Sequence, residues 1–494
     1  MYTTPQISKF WETRFLIMVS LILIFPDCIF AQNKNTQVTN FSDSGAQVTK
    51  FSKLGDAIDA HDGEIAYFDG VYYLYGTSYG CGFEWGKKDA PFCGFKVYSS
   101  KDLVNWKDGG ELFDASTAIW QSRCNGNTYG CFRPHVIYNK KTSKYVLWIN
   151  VYDNSVGYRV FTSNSPAGPF VEQAEPRLVI NRGAPVAGLN NGDHDTFVDD
   201  DGRAYIACTD WRAKGAIVVE QLSADYLTGT GKVTKPITPS TTEAPALFKR
   251  KGIYYLVYSD PNCGYCSGTG ASYRTAPSPM GPWSEGIKIS ENSCGGQPSF
   301  VSTIKLKTGE IFLFGSDLWN NAAKNESLAN YYWAPLTFAP DGSINKIECD
   351  KTFSVYTSGD KRQVKAEKTS NFKSVGDIDR ATKRSQTFLA TSDGLWQDLS
   401  ISCFKNHYPN ADLIIEISTV PGQLLKSMTI PVDSISWSPK NMLLHPGIKV
   451  QKGKHYSITV STKAAVGCYG LQYYLQGGGK ASKKFLYRTG IIRK

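Results

Sequence analysis

The sequence predicts an all-β protein, a five-bladed β-propeller followed by a smaller C-terminal β-sandwich. Three observations predict it. The 494 residues include 28 Tyr, 25 Phe and 11 Trp beside 45 Gly and 23 Pro, a balance that suits many short strands and turns rather than long helices. One strand pattern, Gly or Lys followed by an aromatic-aliphatic run and a small polar residue, occurs five times. Beyond about residue 357 that pattern gives way to shorter alternating strands.

Taken in order, the chain starts with Lys9 and Arg14 leading into the apolar run Phe15–Phe25, then Pro26 and Ala31. A basic region, an apolar stretch and a small residue at the cleavage point describe a signal peptide over residues 1–31. That run is too short for a membrane span, and no other stretch approaches about 18 apolar residues. The expectation is a secreted, extracellular chain with no membrane span. Residues 32–55, rich in Asn, Gln, Ser and Thr, read as a flexible leader.

Residues 56–356 hold the repeat and are the expected propeller. The copies are Gly70–Ser78, Lys144–Asn150, Gly202–Asp210, Gly252–Asp260 and Gly309–Asp317, and their starts lie 50 to 74 residues apart. That spacing leaves room for one four-stranded sheet per copy, the unit of a propeller blade. A continuous apolar run fits a strand buried on both faces, here the inner strand of each blade. A second element, Tyr98–Trp106, Thr162–Phe170 and Thr275–Trp283, follows several copies. Residues 357–375 are the linker. Within 376–494, Gln386–Thr391, Ala411–Ile417 and His455–Thr462 alternate as strands of a β-sandwich, a candidate carbohydrate-binding domain.

Removing Cys28 with the signal peptide leaves 11 cysteines, an odd number. Cys81 with Cys93 and Cys124 with Cys131 are natural pairs in an oxidising compartment. Cys263, Cys266 and Cys294 offer one more pair, Cys403 with Cys468 could staple the C-terminal domain, and Cys208 reads as a free core thiol. Asn40 and Asn325 begin glycosylation sequons. The net charge of +10 is nearly matched by the basic residues of 451–494, a stretch with no acid. The main body is therefore close to neutral, the basic face is solvated, and no nucleic-acid partner is expected.

Three carboxylates lie where loops meet the repeat. Asp62 stands in Ala60-His61-Asp62-Gly63-Glu64, Asp193 in Gly192-Asp193-His194-Asp195, and Glu243 just before Ala244-Pro245. In a propeller the starts of inner strands converge at one end of the channel, so the three could share a pocket. Convergent carboxylates serve glycosidic hydrolysis, in which one donates a proton to the leaving oxygen and another activates water. Glu64 rivals Asp62, and Asp195 rivals Asp193. Asp199 to Gly202 read as a hairpin turn.

Ala60-His61-Asp62-Gly63 with Tyr72-Tyr73-Leu74-Tyr75-Gly76, Phe197-Val198-Asp199-Asp200-Asp201-Gly202-Arg203-Ala204-Tyr205, and Glu243-Ala244-Pro245 together resemble glycoside hydrolase family 43 over roughly residues 55–350. The resemblance implies a five-bladed propeller and inverting hydrolysis, with Asp62 as base, Asp193 as the Asp that modulates pKa and orients, and Glu243 as acid. Arg133–Asn139 and Ser99–Trp106 look most like the exo-β-1,3-galactanase branch. Two positions depart from that branch. Phe132 stands where a Glu typically precedes the Arg-Pro, and Asp62 fills a position where the base Asp is usually missing.

His61, Arg133 and Trp211 are the candidate substrate-binding residues, and Trp85, Trp120 and Trp319 are further candidate sugar platforms. The expected partner is a polysaccharide or oligosaccharide, and the expected state is a monomer. No cofactor is required. A structural calcium in the axial channel is compatible with the fold, although no ligand motif points to one. A non-catalytic carbohydrate-binding propeller is the alternative reading.

Overall fold

The computed structural model describes residues 36–84, 90–120, 124, 130–152, 157–181, 191–261, 268–306, 309–319, 325–355, 372–420, 422–475 and 481–492. The expected signal peptide, Trp85, and the Cys263 and Cys266 positions lie outside them. Among the described residues the architecture is all-β, with a few single-turn helical segments, and no helix is long and apolar enough to cross a membrane.

Five successive antiparallel sheets occupy residues 61–335. Among the described residues four have four strands and the fifth has three, each ordered as its strands follow in the chain. Their first strands are His61–Phe68, Gly130–Asn139, Asn191–Val198, Glu243–Arg250 and Gln297–Leu306. These first strands pack side by side in chain order, and the fifth returns to pack on the first.

The expected repeat is present one strand further out. Its runs form the second strand of each sheet, at Val71–Thr77, Lys144–Tyr152, Ala204–Asp210, Ile253–Ser259 and Gly309–Leu318, rather than the innermost strand. They are apolar throughout because both faces of each sheet are covered by neighbouring sheets. Leu147 and Ile149 face a layer shared with Phe95 and Val97 of the first sheet. Val146 and Trp148, one residue out of phase, face Ile206 and Val218 of the third. Tyr205 and Ala207 then meet Leu247 and Leu256 of the fourth sheet, Val257 meets Phe312 and Phe314 of the fifth, and Leu313 meets Ile65 and Leu74 of the first. The core is thus five apolar layers, one between each pair of neighbours.

Of the expected flexible leader, residues 32–55, the described part 36–55 is ordered. Thr36–Thr39 pairs antiparallel with Thr352–Val355. Asn40 is fully buried, its amide nitrogen donating to the Trp333 carbonyl at 2.7 Å while its oxygen accepts from the Trp333 amide at 3.1 Å. A short polar side chain that satisfies a strand's backbone in this way explains why so polar a stretch is ordered.

The first described strand of the C-terminal unit is Phe372–Ile378, which starts within the expected linker 357–375. Its described residues form a seven-stranded and a four-stranded sheet. Trp396, Leu399 and Ile401 of one meet Leu413, Ile415 and Ile458 of the other in a single apolar core. It is fastened to the five-sheet unit by polar contacts. The Ala57 amide donates to the Pro439 carbonyl at 2.8 Å, the Asn441 amide to Asp56 at 2.8 Å, and Asn325 Nδ2 to the Asn406 side chain at 2.5 Å.

Cys81–Cys93 and Cys124–Cys131 are bonded as expected. Cys294 is bonded to Cys349. Cys403 and Cys468 are free thiols, which corrects the expected staple. In the register Cys403 lies opposite Leu471, and Cys468 is three residues from Leu471, so the two side chains leave the sheet on opposite faces. Cys208 is a free, buried thiol.

Candidate active site

The same irregularity recurs at the start of each first strand. Register shifts fall between His61 and Glu64, Phe132 and His135, Asn191 and His194, Glu243 and Ala246, and Pro298 and Phe300. A bulge adds a residue and re-aims the side chains beside it. At three of these bulges a residue other than Gly takes left-handed backbone, Asp62 with φ 55°, Arg133 with φ 58° and Ala244 with φ 53°. Such strain costs on the order of 1–3 kcal/mol per residue and clusters where geometry serves function. Gly63 has no alternative, because a Cβ there would lie 2.3 Å from the Tyr75 carbonyl oxygen.

Asp62 is buried and held from three directions. Thr77 Oγ1 donates to its Oδ1 and Tyr79 OH to its Oδ2, each at 2.6 Å, and the Arg133 amide donates to Oδ1 at 3.1 Å. Its own amide donates to Asp317 at 3.1 Å. Burial pushes its carboxyl up to about 6, against the opposing pull of the Arg133 charge and of the hydroxyl donors.

Arg133 joins two of the expected carboxylates. While its amide holds Asp62, its guanidinium Nη2 pairs with Asp193 Oδ2 at 2.8 Å, both side chains buried. Nη1 donates to the Pro298 carbonyl at 3.3 Å. The residue before that proline, Gln297, donates from Nε2 to Glu243 Oε1 at 2.6 Å and accepts from Trp319 Nε1 at 3.2 Å. Trp319 packs edge-on against Tyr79, with ring centroids 5.9 Å apart. Glu243, Gln297, Trp319, Tyr79, Asp62, Arg133 and Asp193 therefore form one contiguous shell. Sequence reasoning did not single out Gln297, an uncharged residue in the turn-like stretch Gly295-Gly296-Gln297-Pro298.

The rival carboxylates form a second cluster. Glu64 accepts from the Val136 amide at 2.6 Å, and Asp195 accepts from the Leu247 amide at 2.6 Å. Between them lies His135 Nδ1, 3.8 Å from Glu64 and 3.0 Å from Asp195. Burial lifts the Glu64 carboxyl to about 7 despite the opposing charge of His135. Burial disfavours a charged His135, yet Asp195 and Glu64 outweigh it and raise its pKa. His194, buried beside His135 and Arg133, is held well below the ordinary value. The donor atoms of Glu64, His135 and Asp195 lie within 4.8 Å of one another. They would offer two carboxylates and an imidazole to a cation, with water left to supply the remaining ligands that a calcium ion takes.

His61 lies behind Asp62 and is fully buried. It stacks on Tyr331 at 5.0 Å and sits between Asp59, 3.4 Å from Nε2, and Asp317, 3.6 Å from Nδ1. Burial disfavours its charged form, but the two carboxylates prevail and raise its pKa to about 9. The ring has no exposed surface and braces the site from behind Asp62. Trp120 is likewise structural, covering Gly94 among Phe92 and Phe113. Trp211 is half-buried against Gly192, the neighbour of Asp193, and against Gly215, whose carbonyl accepts from the Thr242 amide just before Glu243. Phe132 packs with Tyr79, Phe83 and Trp319 in an apolar wall beside the shell.

Residues 56–292 match the family model described as glycosyl hydrolases family 43. Over 231 residues the chain is 29% identical to a beta-D-galactofuranosidase of Aspergillus niger, covering 45% of this chain and 62% of the relative, so it spans less than two thirds of that relative's length. A solved GH43 beta 1,3 galactosidase with galactodeoxynojirimycin superposes with a TM-score of 0.50 at 25% identity, covering 62% of this chain and 97% of that one. An exo-beta-1,3-galactanase from Clostridium thermocellum superposes with a TM-score of 0.53 at 26% identity, covering 69% of this chain and 71% of that one.

Proposed function

We propose, from the premise that residues 56–292 form a glycosyl hydrolase family 43 domain, that this chain is a secreted glycosidase. It cleaves O-glycosidic bonds of a galactan-, arabinan- or xylan-type polysaccharide or its side chains, and it does so with inversion. On this reading the five sheets are the blades of a propeller over residues 56–356, and 376–494 is a β-sandwich packed on it. The named activities of the relatives, on galactosyl glycosides, support the sugar class.

What carries the reading is the shell that links all three carboxylates through Arg133, Gln297 and the Tyr79–Trp319 contact. Glu243 is the acid, its carboxyl oriented by Gln297, and it protonates the leaving oxygen. Asp62 is the base, with Thr77, Tyr79 and the Arg133 amide favouring its ionised form, and it takes a proton from the attacking water. Asp193 acts through Arg133, neutralising the guanidinium and fixing it beside Asp62. The chemistry calls on carboxyl groups alone, and the protein works as a monomer.

The test is a panel of aryl galactosides, arabinosides and xylosides followed by linear and branched galactans and arabinans. Glu243→Gln and Asp62→Asn should each lower turnover of unactivated substrates by about 10²–10⁴-fold with the fold intact. Asp62 must be ionised to accept a proton, so activity is present above about pH 6 and is lost as pH falls through that value. Proton NMR of the first-formed sugar should show the inverted anomer. Full activity in Glu243→Gln would remove the acid assignment, and binding without turnover across the panel would favour a carbohydrate-binding propeller instead.

A further inference from the structure

The segment from Thr77 to Gly82 has two faces that touch different parts of the molecule. On one face Thr77 and Tyr79 donate to Asp62, each at 2.6 Å. On that side, too, the amides of Tyr79 and Gly80 donate to Asp59 at 2.9 Å, and Ser78 donates to it at 2.6 Å. On the other face the Gly80 carbonyl accepts from Ser436 Oγ at 2.7 Å and from the Trp437 amide at 2.8 Å. The Gly82 carbonyl accepts from Tyr408 OH at 2.7 Å. Tyr408, Ser436 and Trp437 all belong to the C-terminal unit.

There is no slack between these faces. A Cβ on Gly80 would lie 2.6 Å from Asp59 and 2.8 Å from Ser436 Oγ, and one on Gly82 would lie 3.0 Å from the Trp437 ring. Between the two glycines, Cys81 is tied to Cys93. The segment is therefore gripped by the C-terminal unit at the same residues that grip the candidate base.

We propose that the C-terminal unit is a positioning element for Asp62, with Tyr408, Ser436 and Trp437 holding the 77–82 segment so that Thr77 and Tyr79 keep their hydrogen bonds to that carboxylate. The inference rests on the reading of Asp62 as the base. None of the three touches a reacting atom, so all are positioning residues. Asp62 is faced by Thr77 and Tyr79 from this segment, by Arg133 from the second sheet and by Asp317 from the fifth, with His61, Asp59, Tyr331 and Asp193 behind them. Releasing the grip alters the first two directly, and it also loosens Asp59, which accepts from Ser78, Tyr79 and Gly80 of the same segment and pairs with His61. Losing donors to a carboxylate disfavours its ionised form, so the acid limb of the pH profile moves to higher pH.

The experiment uses the full chain and the glycoside turned over fastest in the panel above. Tyr408→Phe, Ser436→Ala and the double variant are compared with Asp62→Asn and with Phe372→Leu. Phe372 joins the same two units through the Phe51 ring, 5.6 Å away, without touching the segment. The double variant should lower kcat by about tenfold with KM changed by less than about twofold, and its acid limb should move up. Phe372→Leu should leave both unchanged. If the double variant does not melt as a folded protein, Tyr408→Phe alone carries the test, because that ring is 41% exposed. An unchanged kcat and limb beside an inactive Asp62→Asn would overturn the inference. An active Asp62→Asn would overturn the Asp62 assignment itself, a separate failure.

Discussion

At the scale of single residues, Arg133 is where the site is most exposed to damage. Its backbone amide and its guanidinium hold two different carboxylates, and its side-chain contacts to Asp193 and to the Pro298 and Ser299 carbonyls are all buried. Arg133→Met would keep the amide contact but leave Asp193 as a buried charge without its cation. Breaking a buried pair from one side costs about 3–5 kcal/mol, so thermal unfolding of this variant should begin well below that of the parent. A melting curve that coincides with the parent would show that Asp193 has other compensation. The carboxylates themselves were legible because their motifs carry them. Gln297 was not, since an amide announces no chemistry until a bulge aims it at Glu243. Asp193 and Asp195 also defeat simple counting. Residues two apart on a regular strand share a face, but the shift between Asn191 and His194 sends one to Arg133 and the other to His135.

At the scale of elements, the repeat could be read from sequence but its depth in each sheet could not. Apolar runs mark strands covered on both faces, and in this architecture the second strand is the one so covered, while the first strand spends its bulged start on polar work. Bridge partners were legible only where they were local. Cys81–Cys93 and Cys124–Cys131 close separations of 12 and 7 residues, whereas Cys294–Cys349 closes one of 55 across the fifth sheet. Constraining a loop of that length removes chain entropy worth about 4 kcal/mol from the unfolded state. Replacing both Cys294 and Cys349 with Ser should lower the denaturant midpoint, and releasing the loop in the unfolded state should steepen the unfolding curve. A midpoint equal to the parent's would mean the bridge adds no stability.

At the scale of the whole molecule, the two units meet through specific polar contacts, and that changes the reading of the sequons. Asn325 is 4% exposed and its amide nitrogen donates to the Trp437 carbonyl at 3.2 Å as well as to Asn406. Asn40 is fully buried against Trp333. Neither amide can carry a glycan in this fold, and a glycan on Asn325 would hold the C-terminal unit away. Peptide mapping of protein secreted from a glycosylating host should find both positions bare. A glycan at Asn325 on correctly folded, active protein would contradict the observed docking. None of this was legible in a three-residue motif, because burial at 325 is created by residues about a hundred positions later.

The pairing of Thr36–Thr39 with Thr352–Val355 also sets an order of events during synthesis. Gln37 meets Thr352 across 315 residues of chain. A ribosome adding about 5–20 residues per second needs roughly 15–60 s to make that stretch. For that interval the Thr36–Thr39 strand lacks this partner, and the face of the first sheet that will meet the fifth stays uncovered. The nascent chain must therefore be kept from aggregating until its last sheet emerges. A protein of this design closes late.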